Sequence, residues 1–163
     1  MITTEDRIPA VTDHDQLAVG AAESTRTLAL CALPTEPRSV PATRRFVRAA
    51  LLRWAVPPDA IDTLLVVLSE LATNVVLHSG STEMSVLVRF DGTALTVEVK
   101  DQGRWLVRHT PRRAAEDDDA AFGRGLALVA ACTSWWTMDI TDAGTRVTAR
   151  CPVVHATDGE PGS

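Results

Sequence analysis

Paired cysteines, lysine and long apolar runs are all scarce in this 163-residue chain. Cys31, Cys132 and Cys151 are odd in number and widely spaced, with no C-x-x-C pair and no neighbouring His at ligand spacing. Neither a disulfide framework nor a zinc site is expected, and the three read as small buried apolar residues. Lys100 is the one lysine among 16 basic residues, the net charge is −5, and there is no basic block. That balance argues against direct nucleic-acid contact. No stretch reaches the roughly 18 uninterrupted apolar residues of a membrane span, and residues 1–23 lack the basic start and apolar centre of a signal peptide. A cytoplasmic location with no membrane contact is the expectation. With 45% hydrophobic residues, a chain of this length can bury one sizeable core without covalent staples.

The most informative stretch is 64-LLVVLSELATNVVLHSG-80. At helical period Ile61, Leu64, Leu65, Leu68, Leu71, Ala72, Val75 and Val76 fall on one broad arc, with Glu70 roughly opposite its centre and Asn74 on the same side as Glu70. Taken alone this is an amphipathic helix with solvated polar positions. Pro57-Pro58 ends the preceding segment, Asp59 is placed to cap the helix, and Gly80 suits a left-handed stop.

Upstream, 1–23 reads as a leader without periodicity. The run 25-TRTLALCAL-33 alternates as a strand, and 34-PTEPRSVPAT-43 breaks it with three prolines. Over 42–56, Phe46, Val47, Ala50, Leu51 and Trp54 share one side of a helix, with Arg44, Arg45, Arg48 and Arg53 largely on the other. Downstream, 83–90 and 94–101 alternate as strands around Asp91-Gly92, a hairpin signal. Their inward sets are Met84, Val86 and Val88 against Leu95, Val97 and Val99, or the alternate faces. Asp101 ends the second strand. An irregular stretch through residue 122, with the acidic run 116-EDDD-119, is a candidate lid. It leads into 123-GRGLALVAACTSWW-136, where Gly123 and Gly125 are expected to open a helix whose first N–H groups can meet a phosphate. Strands at 134–140 and 145–151 around 141-TDAG-144 form a second hairpin, and the tail from Pro152 is polar.

Helices over one face of a mixed, mainly antiparallel sheet make a two-layer α+β sandwich. With this order of elements, four stations over about residues 25–151 resemble the GHKL ATPases, whose Bergerat fold binds ATP between helices and sheet: Glu70-x-x-x-Asn74, Asp101-x-Gly103, Gly123-Arg124-Gly125-Leu126 and Gly144-Thr145. Within that family the chain looks most like the small bacterial serine/threonine kinases that act as anti-sigma factors. The resemblance implies a histidine-kinase-like ATP-binding domain over residues 24–151, between the leader and a tail at 152–163. It implies ATP and Mg²⁺, with Asn74 holding the metal and Glu70 as general base toward a hydroxyl. Asp101, Gly103 and Thr145 would take the adenine, and Gly123, Arg124, Gly125 and Leu126 the phosphates. The implied partners are a STAS-type anti-anti-sigma protein and a sigma factor, with the Arg-rich side of helix 42–56 as partner or homodimer surface. His78 follows the first station, either as a helix-end residue or as a catalytic one. The chain departs from the family pattern at Trp105, where a further glycine is frequent, and in having only Arg104 or Arg124 to offer the phosphates. Trp105 and the acidic lid motivate a competing reading, an ATP-binding or even nucleotide-independent partner switch without turnover.

Overall fold

The computed structural model describes residues 27–104 and 117–154, with side chains from residue 124 onward in the second segment. The order of elements is β1 (Thr27–Pro34), α1 (Ser39–Arg53), α2 (Pro58–His78), β2 (Glu83–Phe90), β3 (Ala94–Asp101), α3 (Asp117–Cys132), β4 (Trp135–Thr141) and β5 (Gly144–Pro152). The strands make one sheet in the order β1-β2-β3-β5-β4. All four pairings are antiparallel, so the parallel part of the expected mixed sheet is not among the described residues. The leader and tail, the Trp105 position and most of the candidate lid lie outside the described residues.

Register explains the core. Val86 stands opposite Val99, Val88 opposite Val97, Val97 opposite Ala149 and Val99 opposite Val147. All are buried, so of the two faces open to the sequence the helices cover the Met84/Val86/Val88 and Leu95/Val97/Val99 side. The same alternation carries one step further, where Met84 faces Asp101 and Asp101 faces Thr145. Two polar side chains are thus placed inward at one end of the apolar rows by period-two geometry alone.

Helix α2 lies over the centre of this face, against β3 and β5. Ile61, Leu64, Leu65, Leu68, Leu71 and Val75 are essentially fully buried. Each such side chain contributes about 1.5–3 kcal/mol of transfer free energy. Its length and apolarity would also suit a membrane crossing, but here they serve the core, with 56% of its most apolar window buried. The helix starts differently from expectation. Pro57 occupies the cap position, no side chain caps the first turn, and Asp59 lies within it. Pro58 has no N–H to leave unsatisfied, so the missing cap costs little there. At the other end Ser79 N–H donates to the Val75 carbonyl at 3.1 Å, and Gly80 adopts φ +66° as expected of a helix stop.

Helix α1 begins three residues earlier than its apolar period suggested, with Pro41 tolerated in the first turn. Val47, Ala50 and Leu51 are buried beneath it. Part of its Arg side is used inside the fold. Arg44 donates to the Ser69 hydroxyl and to the Leu65 carbonyl, the latter at 3.2 Å, and Arg48 pairs with Asp62 at 3.1 Å. Of the cysteines, Cys151 is buried, and burial, with a smaller contribution from nearby Cys132, pushes its thiol up to about 11. Cys31 and Cys132 are half-buried, and all three are free. This fits their reading as apolar residues.

Candidate functional site

Two clusters of polar and small residues form along α2. In the first, Glu70 and Asn74 meet α3 at Gly125. A Cβ on Gly125 would lie 2.6 Å from Glu70 Oε2 and 3.9 Å from Asn74 Nδ2. Gly125 therefore leaves room for the Glu70 carboxylate where α3 meets α2. Glu70 is half-buried, whereas Asn74 is only 4% exposed and its Nδ2 has no hydrogen-bond partner. An unsatisfied buried amide costs about 1–3 kcal/mol. A half-turn of the amide exchanges Nδ2 for Oδ1 at nearly the same place. An unspent polar atom beside a carboxylate is what a ligand to an oxygen-seeking cation requires.

The second cluster is at the sheet end. Asp101 is 2% exposed, and its Oδ1 accepts the Gly103 N–H at 2.7 Å. Thr145, also buried, donates its hydroxyl to the Gly103 carbonyl at 3.0 Å. That proton is committed to the loop, so toward a base Thr145 would act as an acceptor. Gly103 and Gly144 allow contacts no other residue could. A Cβ on Gly103 would fall 1.8 Å from the Ser79 carbonyl oxygen, and one on Gly144, at φ +126°, would fall 2.0 Å from the Asp101 carbonyl oxygen. Ser79, buried at the end of α2, is thus a site residue that the sequence showed only as part of a turn. Its neighbour Ser81 accepts the Gln102 N–H at 3.2 Å.

Ser79 follows Glu70 by nine positions, a rise of about 13 Å along the helix axis. The carboxylate–amide pair and the loop that follows the buried Asp101 therefore meet α2 at two stations separated by that rise. This suits a ligand with a base at one end and a terminal phosphate at the other, and the donor set fits ATP with Mg²⁺. Cavities of about 270 and 120 Å³, lined by Ser85, Lys100, Gln102, Asp139 and Arg146 among others, lie on the helix-free side of the same sheet end. Asp101 also lines the larger of the two.

The glycine pair at 123 and 125 differs from expectation. It lies inside α3, which already runs from Asp117, not at a helix start. An acidic run suits the positive end of a helix, so Asp117–Asp119 supply the beginning that sequence pattern assigns to the glycines. Gly125 faces the Glu70 carboxylate from inside the helix. Leu126 is half-buried against the core, and Arg124 is exposed on α3. Arg104 ion-pairs with Asp142 in the β4–β5 turn, tying the start of the candidate lid to the hairpin. His78 is the half-buried last residue of α2.

Comparison with known proteins agrees with this geometry. A structure containing the RsbU and RsbW domains of Rv1364c from Mycobacterium tuberculosis is similar, with a TM-score of 0.58 at 17% identity. The match covers 78% of this chain and 32% of the other, so the chain spans about a third of that protein's length, and the likeness concerns the fold. No curated protein sequence matches. The family model of the histidine kinase-like ATPase domain matches residues 33–151, most of the chain. With that match over more than half of its length, the chain belongs to the family of histidine kinase-like ATPase domains.

Proposed function

We propose that the protein is a bacterial regulatory kinase that transfers phosphate from ATP to a serine or threonine of a STAS-type anti-anti-sigma protein, and that it alternatively holds a sigma factor. The observation that carries this reading is the half-buried Glu70 carboxylate beside the orphaned Asn74 amide at the α2–α3 crossing. Glu70 takes the proton of the incoming hydroxyl, a step that contributes about 10²–10⁴-fold in such reactions. Asn74 presents its amide oxygen to Mg²⁺, which when bound would neutralise charge on the phosphates. Asp101 accepts the exocyclic amine of adenine, and the Gly103 loop, held by Thr145, lets backbone approach the ring. The RsbW domain named in the similar structure supports the assignment to this branch, and the protein is assigned to the cytoplasm.

The test is transfer of radiolabelled phosphate from ATP to a co-encoded STAS protein. Wild type transfers, Glu70→Ala loses roughly 10²-fold or more while keeping ATP affinity, and Asn74→Ala loses both. Absence of transfer by wild type, with tight sigma binding retained, would leave the second reading, a nucleotide-bound partner switch without turnover. The observation in its favour is Arg104, whose pairing with Asp142 leaves fewer cations for the phosphates.

A further inference from the structure

Val66, Thr73 and Leu77 share the outer stripe of α2 with Glu70, all four within about 60° around the helix axis. This stripe lies opposite the buried arc of Ile61, Leu64, Leu68, Leu71 and Val75. Val66 is 38% exposed, and a single exposed valine is ordinary. What stands beside it is not. α2 ends at Ser79, against Gly103, at the sheet end that holds Asp101 and Thr145. α3 ends two residues before Ser134, whose N–H donates to the Arg150 carbonyl at 2.8 Å, at the other end of β5. The two helices therefore run antiparallel, with Gly125 at the level of Glu70. Leu128 comes three residues after Gly125 and Val66 four before Glu70, so both lie about 4.5–6 Å from that level in the same direction. Leu126 and Val129 turn toward the core, and Leu128, about 160° around α3 from Leu126, is left on the outer flank with 40% exposure. Val66 and Leu128 thus make an apolar pair on the outer surface of the helical layer, about one turn from the carboxylate.

We propose that Val66 and Leu128 form the subsite that receives an apolar side chain of the phosphoacceptor segment, within about one helical turn of its serine or threonine. The inference rests on the kinase reading, because it takes Glu70 as the base. A hydroxyl that gives its proton to Glu70 comes within about 3 Å of that carboxylate, so the segment carrying it crosses the outer surface of α2 there. In-line transfer then fixes the direction of approach, since the attacking and leaving oxygens stand on opposite sides of the phosphorus. With adenine held at the Asp101 end, the leaving diphosphate lies toward Ser79, and the acceptor enters from the side of Val66 and Leu128.

Titration of the co-encoded STAS protein into the ATP-loaded full chain tests the proposal, with phosphate transfer as a second readout. The double variant Val66→Gln, Leu128→Gln is neutral, so the charge around Glu70 is kept, and both positions are already exposed, so the melting temperature should hold. It should weaken binding and raise KM for the STAS protein at least about tenfold, with kcat and ATP affinity unchanged. Val154→Gln, at an 82% exposed apolar position beyond β5, should bind as wild type does. In the STAS protein, polar substitution of the apolar residues within four positions of the phosphosite should weaken binding to wild type but not to the double variant. Transfer by wild type with an unaffected double variant would overturn this inference alone, as would a loss confined to kcat or to sigma-factor binding. Absence of transfer by wild type would overturn the kinase reading and this inference with it.

Discussion

Substituting Gly125 by alanine should separate stability from catalysis. The added Cβ would sit 2.6 Å from Glu70 Oε2 and 3.7 Å from its Cδ, with Asn74 Nδ2 at an ordinary 3.9 Å. The tight contact is the tip of a flexible side chain, so the carboxylate yields and the helices stay where they are. Replacing a mid-helix glycine gains about 0.8–1 kcal/mol of propensity, and moving Glu70 off its rotamer costs about 0.5–1.5 kcal/mol. The two offset, and stability should change by less than about 1 kcal/mol. The carboxylate, however, must retreat by about 0.8 Å to reach van der Waals distance, and misplacement of that order can cost about 10²-fold in rate. Thermal or denaturant unfolding should therefore be nearly unchanged while phosphate transfer falls about 10–100-fold and ATP affinity holds. Destabilisation beyond about 2 kcal/mol, or transfer at the wild-type rate, would refute the placement of Gly125 as the spacer for Glu70.

Other substitutions probe the remaining stations. Asn74→Leu removes a buried amide with an unsatisfied Nδ2 and should stabilise the fold by about 1 kcal/mol while abolishing nucleotide binding, as a melting curve and an ATP titration would show. Gly103→Ala drives a Cβ into the Ser79 backbone, which cannot swing away, so a loss of about 2 kcal/mol or more in denaturant unfolding is expected. Asp91 is held well below the usual carboxylate range, first by the Thr93 N–H, then by the Thr93 hydroxyl, with further help from the Ala94 N–H and Arg150. Because its folded value is depressed, its stabilisation is present above the unfolded pKa of about 4 and is lost as pH falls below that. Asp91→Asn should cost about 1–2 kcal/mol at neutral pH and flatten the acid limb of a stability–pH profile. An unchanged acid limb would contradict this.

Much of the fold was legible because it rests on periodicities that the sequence carries locally. The apolar arc of α2, both hairpins and the inward sets of β2 and β3 all follow from spacing of 3.6 or 2. What the sequence could not display were choices settled by tertiary contact. Gly125 was read as a helix opener because a glycine pair before an apolar run has the same appearance whether it faces a phosphate or a neighbouring helix. Asp59 looked like a cap, but Pro58 at the first helical position made one unnecessary. Ser79 entered the site only because the chain after β3 folds back over the end of α2, a contact between residues more than twenty positions apart. Glu70, Asn74, Asp101 and Thr145 stood out as residue types at intervals, and the register of β3 with β5 is what turns the last two toward the helices.

That register also means nucleotide affinity can report on strand alignment. Asp101 and Thr145 are the end members of the same cross-strand rows that hold Val97, Val99, Val147 and Ala149. A slip of β5 by one residue would exchange Thr145 for Arg146 at the inward position and turn out Val147 and Ala149 together. Misaligned chains would therefore lose the core and the inward Asp101–Thr145 pair in one event, so that, if that pair takes the base as proposed, the fraction of a preparation able to bind ATP would count the molecules whose sheet has closed in register.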